Sequence, residues 1–259
     1  MRELSFTKRN PKTKAVEKVG SLKVNDSAEK VEMFICGDIC STEWDRWTEE
    51  DKCPQNVADF LKDIDPMAPL DIYINSGGGD VFGGVAIYNQ LRRHEGYVTV
   101  FVDGLAASIA SVIALAGDEL IMQSGAQFMI HKPWSLCIGD SDEMLRMAGL
   151  LDKIESDILD IYELHAVEGV TRERIRELVD AETWMTGTEA AEIFNITVEQ
   201  GKAAAACRSE FFDVYKHAPK DTIPPEEGAP PLEDDEIEKV NNEKKKLELE
   251  LDLLGLRLF

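Results

Sequence analysis

The sequence of 259 residues is poor in cysteine, and basic residues are outnumbered by acidic ones. Its five cysteines are Cys36, Cys40, Cys53, Cys137 and Cys207. They form no CxxC pair and are odd in number, which argues against a zinc site or a disulfide framework and favours reduced thiols. The 28 Lys and Arg stand against 50 Asp and Glu, a net charge of −22. Nucleic acids and anionic membranes bind basic patches, so neither is an expected partner.

Long apolar runs are also missing. The longest, residues 105–117, is too short to span a bilayer. The N-terminus carries no apolar segment, so we expect no secretory signal and a cytoplasmic location. We expect no metal and no cofactor.

Hydrophobic residues make up 44% of the chain, as in a globular protein. From Val31 onward, short strand-like segments alternate with segments of helical spacing. Such alternation predicts an α/β fold with a mainly parallel sheet. The predicted helices include a buried one from Leu105, a long one from Ser141 to about Val167, and one with Thr171 as its N-cap.

Composition divides the chain into four parts. Residues 1–30 predict a loose arm or an edge hairpin, and 31–200 the main domain. Residues 201–235 form an acidic, Pro-rich linker, and 236–259 an amphipathic helix with heptad-like spacing. That helix either packs back on its own chain or contacts another subunit or a partner.

Four histidines are present, and one of them stands at the end of a strand. His94 and His217 lie in polar surroundings, and His165 lies on the apolar stripe of the long helix. His131 ends the apolar strand in "QFMIHKPW". Because α/β sheets place reactive groups at strand ends, His131 is the candidate for chemistry.

Two further segments are candidates for chemistry. In "VDGLAASIASVIALAGD", Ser108 stands where a strand gives way to a helix, and its small neighbours leave room for a substrate backbone. Ser108 is either a nucleophile or a buried hydroxyl. For Ser111 we expect a buried hydroxyl within the helix. In "INSGGGD", residues 77–79 can present backbone N–H groups or simply make a tight turn. The phosphate-binding spacings GxGxxG and GxxxxGK[ST] are not present there.

Four segments in order resemble the ClpP family of serine peptidases: "YINSGGGDVFGGVAIYNQL", "VDGLAASIASVIALAGD", "MIHKPW" and "DAETWMTGTEAAEIF". The resemblance covers about residues 31–196. It implies a ClpP/crotonase-type fold of stacked, mainly parallel sheets with flanking helices. The segments "GGGDVFGGVAIYNQL" and "DAETWMT", and the Trp after "HKP", resemble more narrowly the ClpP-related head maturation proteases of tailed phages and prophages.

The resemblance implies roles for single residues. Ser108 corresponds to the nucleophile and His131 to the general base. The backbone N–H groups of Gly79 and Ile109 correspond to the oxyanion donors.

Two positions depart from the family pattern. The family has an aspartate two residues before the aromatic of the acidic stretch, and Glu182 stands there, with Asp180 as the alternative third member. Gly77 stands where the family has a proline, in the segment of residues 77–79 that we call the glycine turn. The turn thereby loses the fixed φ of proline but loses no amide donor.

The resemblance also implies a homo-oligomeric ring, heptameric and often stacked in pairs. The expected function is a serine endopeptidase, without ATP hydrolysis in this chain, that processes scaffold and capsid precursors in phage head maturation, in the host cytoplasm or the procapsid. The alternatives are a cellular-type ClpP peptidase served by an ATP-dependent unfoldase and a catalytically silent structural ring. An acyl-CoA enzyme of the crotonase fold fits the Ser108 and His131 segments less well.

Overall fold

The structure, a computed structural model, describes the backbone of residues 2–9 and 16–24, and residues 31–46, 50–200 and 214–218 with their side chains. The predicted heptad-like helix and the predicted linker, apart from 214–218, lie outside the described residues. The division of the chain into four parts stays a prediction.

The N-terminal part contains two strands in its described residues. Strands β1 (Arg2–Arg9) and β2 (Val16–Val24) pair antiparallel as a two-stranded sheet.

The main sheet has seven strands in the described part of the chain. They are β3 (Val31–Ile39), β4 (Leu70–Gly79), β5 (Val98–Ala107), β6 (Glu119–Gln123), β7 (Gln127–Ile130), β8 (Thr183–Thr186) and β9 (Thr197–Glu199). The order is β3-β4-β5-β6-β9, and β7 pairs with both β5 and β8. Every pairing is parallel except that of β7 with β8. The predicted α/β class with a mainly parallel sheet is confirmed.

Strand β5 pairs with two different strands along its length. Its residues 99–102 pair with β6, and its residues 105–107 pair with β7. Carboxyl ends of parallel strands meet at one edge of a sheet, so the residues that follow β5 and β7 become neighbours. The backbone N–H of Ser108 accordingly donates to the carbonyl of Met129, at 2.9 Å.

Six α-helices flank the sheet in the described residues. They are α1 (Pro54–Lys62), α2 (Val81–Arg92), α3 (Ile109–Ala114), α4 (Ser141–Leu164), α5 (Arg172–Asp180) and α6 (Gly187–Ala190). Thr171 is the N-cap of α5, as predicted, and its side chain accepts from the N–H of Arg174. None of the described helices is both long and apolar enough to cross a membrane.

The predicted start of the buried helix at Leu105 is wrong, because the chain stays extended to Ala107. Residues 105–107 satisfy their backbone hydrogen bonds with β7, so the helix begins only at Ile109. Its position depends on Gly84 of α2, where a Cβ atom would lie 2.1 Å from Cγ1 of Ile109. The missing side chain therefore allows α2 and α3 to pack closely at the edge of the sheet where Ser108 lies.

Candidate active site

Ser108 occupies the single-residue junction between β5 and α3. Its backbone adopts φ 55° and ψ −128°, a strained conformation for a residue other than glycine. Three hydrogen bonds hold this backbone: the Ser108 N–H donates to Met129, and the Ser108 carbonyl accepts from the Ser111 N–H at 3.0 Å and from the Ser111 hydroxyl at 2.5 Å. The sharp turn exposes Oγ at the start of a helix, where unpaired N–H groups favour negative charge.

Ser111 is the buried helix hydroxyl that the sequence indicates. Its side chain is fully buried and lies 2.7 Å from the hydroxyl of Tyr162 on α4. Since the Ser111 proton goes to the Ser108 carbonyl, Tyr162 donates to Ser111. This chain of hydrogen bonds connects α4 to the backbone of Ser108.

His131 follows β7 directly and faces Ser108. Its Nε2 lies 2.7 Å from Oγ of Ser108. Burial lowers the pKa of the imidazole to about 4, against the opposing influence of the Glu182 charge. The ring is therefore neutral near pH 7, and a neutral Nε2 can accept the serine proton.

Glu182 lies beside His131 because of the antiparallel pairing of β8 with β7. Ile130 is paired with Thr183, so the next positions along the two strands are His131 and Glu182. Glu182 also has a positive φ of 49°. In the described part of the chain its oxygens accept from the N–H groups of Lys216 at 3.0 Å and His217 at 2.7 Å, and from Nε1 of Trp184 at 3.4 Å.

No hydrogen bond joins the Glu182 carboxylate to the His131 ring among the described residues, and the two groups interact through charge. Burial raises the pKa of Glu182, but the hydrogen bonds from Lys216, His217 and Trp184, together with His131, bring it below its ordinary value. The carboxylate is thus ionised at neutral pH.

Asp180, the alternative third member, has a different partner. It ends α5 with a half-exposed side chain, and its carboxylate lies 3.0 Å from Nζ of Lys132. Lys132 also lies 3.5 Å from Glu155. The structure therefore places Asp180 in a surface ion-pair cluster and Glu182 beside His131.

The two predicted oxyanion donors lie at different positions relative to Ser108: Ile109 follows it directly, and Gly79 packs against Ile39. Ile109 is the first residue of α3, so its N–H has no acceptor within the helix. Gly79 and Ser108 line the same cavity. The glycine turn, residues 77–79, forms the end of β4 and lies against the nucleophile, since a Cβ atom on Gly78, whose φ is +103°, would lie 2.7 Å from Cβ of Ser108.

A cavity of about 530 Å³ opens from Ser108 and His131. One wall is apolar and comes from the segment after His131 and from α4. Its side chains include Pro133, Trp134, Leu136, Met147, Leu150 and Leu151. The cavity therefore has an apolar lining on one side, whereas Asp38, Asp45, Asp51 and Asp80 contribute carboxylates elsewhere in its lining.

Comparison with known proteins decides the family. The model of the Clp protease family matches residues 43–194, more than half of the chain. The chain belongs to the Clp protease family. The candidate residues Ser108, His131 and Glu182 all lie within the matched range.

Curated Clp relatives resemble part of the chain. The ATP-dependent Clp protease proteolytic subunit of Bacteroides fragilis is 30% identical over 135 residues, 51% of this chain and 64% of that protein. Proteolytic subunit 1 of Chlamydia abortus is 34% identical over 137 residues, 51% of this chain and 70% of that protein. The match thus spans less than two thirds of the Bacteroides fragilis protein.

Three residues of this Clp protease family chain that touch the site were not found from the sequence: Tyr215, Lys216 and His217. They lie beyond the family match, in a segment without periodic pattern. His217 stands in polar surroundings in the sequence, and its side chain is 64% exposed. His217 contributes to the site through the hydrogen bond from its backbone N–H to Glu182, and a pattern of side chains in the sequence does not reveal such a bond.

Proposed function

We propose that this Clp protease family chain is a serine endopeptidase with Ser108 as nucleophile, His131 as general base and Glu182 as the acid that stabilises the charged histidine. The observation that carries the proposal is the 2.7 Å contact between Oγ of Ser108 and Nε2 of His131 at the start of a helix. Asp180 is not part of the proposed site, because it pairs with Lys132.

Each residue has a defined part in the reaction. Oγ of Ser108 attacks the peptide carbonyl while Nε2 of His131 takes its proton. The N–H groups of Gly79 and Ile109 stabilise the oxyanion. His131 then protonates the leaving amine, and water hydrolyses the acyl-enzyme. The Glu182 carboxylate stabilises the imidazolium that forms between these steps.

The substrate class follows from the cavity. An apolar wall beside Ser108 favours polypeptides with an apolar side chain at the cleaved bond.

For partners, the names of the relatives support the unfoldase-coupled alternative better than head maturation. Both relatives described above are proteolytic subunits of ATP-dependent Clp proteases. We therefore propose a homo-oligomeric ring that receives unfolded chains from a separate ATPase. Head maturation rests on the resemblance of the segments "GGGDVFGGVAIYNQL" and "DAETWMT", and stays a prediction.

Labelling with a fluorophosphonate tests the chemistry. We expect the wild type to be labelled, and Ser108→Ala and His131→Ala to lose labelling. Ser135→Ala is the matched control, since Ser135 lines the same cavity without a histidine partner. Labelling that survives Ser108→Ala would refute the nucleophile, and an unlabelled wild type would support the silent structural ring.

A second experiment separates the two cellular roles. The purified protein is incubated with a Clp-type ATPase and a folded reporter protein, and separately with phage scaffold and capsid precursors. ATP-dependent loss of the reporter supports the unfoldase-coupled peptidase. Discrete cleavage of the precursors without an ATPase supports head maturation instead.

A further inference from the structure

The segment 214–218 crosses the candidate active site, although it lies beyond the region that matches the Clp protease family. Its neighbours Val214, Lys216 and His217 are exposed, whereas Tyr215 is only 7% exposed. The Tyr215 side chain packs in an apolar cluster with Leu105, Ala107 and Met129, which lie near the carboxyl ends of β5 and β7. These are the strand ends that present Ser108 and His131.

Tyr215 contacts three parts of the site at once. Its hydroxyl donates to the carbonyl of Gly77 in the glycine turn, at 2.6 Å. Its ring packs edge-to-face on His131, with centroids 5.1 Å apart. The same ring meets Trp184, at 6.0 Å. The next two residues of the segment hold the Glu182 carboxylate through their N–H groups.

Each contact constrains a group that the reaction needs. The His131 ring has Ser108 on one side and the Tyr215 ring on another, so its rotation is restricted. Gly77 precedes Gly78, which lies against Ser108, so a hydrogen bond to the Gly77 carbonyl fixes the segment that carries Gly79. Burial raises the pKa of Tyr215, so its hydroxyl stays protonated and keeps donating.

We propose that Tyr215 is a positioning residue for the active site: its ring holds His131 against Ser108, and its hydroxyl holds the glycine turn. The chain beyond the family match thereby completes the site. The inference rests on the proposed function and adds a residue to it.

The proposal is tested by three variants. Tyr215→Phe keeps the ring and removes the hydroxyl, Tyr215→Ala removes both, and Tyr97→Ala is a control at a tyrosine that is 55% exposed. For each, the rate of fluorophosphonate labelling and kcat/KM for a small peptide are measured from pH 3 to 8. Circular dichroism and thermal unfolding of each variant show that it is folded.

Tyr215→Phe removes the hydrogen bond to Gly77 and the interaction of the hydroxyl with Ser108, and we expect it to lower kcat/KM about fivefold or more with an unchanged pH midpoint. We expect Tyr215→Ala to lower it by about 100-fold or more, as a misplaced catalytic group does. Its acid midpoint should rise towards the ordinary histidine pKa, because the ring of His131 becomes hydrated. Glu182 is the charged group that acts on His131, and it is present in all variants.

Two results would overturn the proposal. Wild-type kinetics and pH midpoint in Tyr215→Ala would show that the ring positions nothing. A faster Tyr215→Ala would show that the segment obstructs the site. If Tyr215→Ala does not fold, Tyr215→Phe decides: unchanged kcat/KM would refute the role of the hydroxyl.

Failure of the proposed function gives a different result from failure of the Tyr215 proposal. If the proposed function is wrong, the wild type is unlabelled or Ser108→Ala is labelled. The titration of His131 by NMR then still tests the positioning role, with His131→Gln to assign the signal among four histidines. An equal His131 pKa in wild type and Tyr215→Ala would refute it.

Discussion

Ser108 and Glu182 share a backbone feature: in the described part of the chain they are the two non-glycine residues with positive φ, 55° and 49°. Such conformations cost about 1–3 kcal/mol each and persist only where the surroundings hold them. Pairing of the flanking strands with β7 supplies that constraint at both positions. The local strain thus coincides with the two ends of the proposed Ser108–His131–Glu182 site.

Exchanging each acidic side chain for its amide should separate the two candidates for the third member. Glu182→Gln removes the charge that stabilises the His131 imidazolium, and we expect kcat to fall by about 10- to 100-fold, less than for a triad acid that is hydrogen-bonded to its histidine. Asp180→Asn weakens a surface ion pair with Lys132 and should change kcat less than about threefold. Steady-state hydrolysis of a small peptide measures both. A larger loss in Asp180→Asn would assign the third member to Asp180.

The low pKa of His131 predicts activity that extends into the acidic range. Because the base must be neutral, kcat/KM should rise through an apparent pKa of about 4 and then stay level towards neutral pH. The Glu182 charge raises the pKa of His131, so the residual activity of Glu182→Gln should have a still lower midpoint. A wild-type midpoint near 6.5 would mean that His131 is hydrated in solution.

The hydrogen bonds that link Tyr162, Ser111 and the Ser108 carbonyl predict that substitutions at Ser111 and Tyr162 lower stability by different amounts. Ser111→Ala leaves the buried Tyr162 hydroxyl without its acceptor and should lower the free energy of unfolding by about 1–3 kcal/mol. Tyr162→Phe leaves Ser111 bonded to the Ser108 carbonyl and should cost less. The double variant should be more stable than Ser111→Ala, because no unpaired hydroxyl remains. Urea unfolding measures all three, and strictly additive losses would contradict this explanation.

The close approach of the glycine turn predicts that Gly78 tolerates no side chain. Gly78→Ala places a Cβ atom 2.7 Å from that of Ser108 at a φ of +103°, and we expect labelling to slow by about 100-fold or more. In Gly149→Ala, on α4, the new atom meets nothing within 4 Å. That control should keep its labelling rate and gain roughly 0.5–1 kcal/mol of stability. Equal labelling of the two variants would show that the turn does not contact the nucleophile.

Much of the fold can be predicted from local sequence pattern. Alternation of apolar strands with helical spacing predicts the parallel sheet, and the N-cap Thr171 marks the start of α5. The start of α3 was misplaced, because residues 105–107 have helix-like composition but pair with β7. Tertiary pairing overrode the local preference there.

The sequence by itself therefore determined the α/β class and the positions of Ser108 and His131 at strand ends. Both follow from local periodicity and the direction of parallel strands. Only the tertiary structure decided which acid lies beside His131, because Asp180 and Glu182 are two residues apart and alike in charge. The antiparallel register of β8 with β7 places Glu182 there. The contacts of Tyr215 with Gly77 and His131 also required the fold, because they join residues far apart in the chain that no local pattern connects.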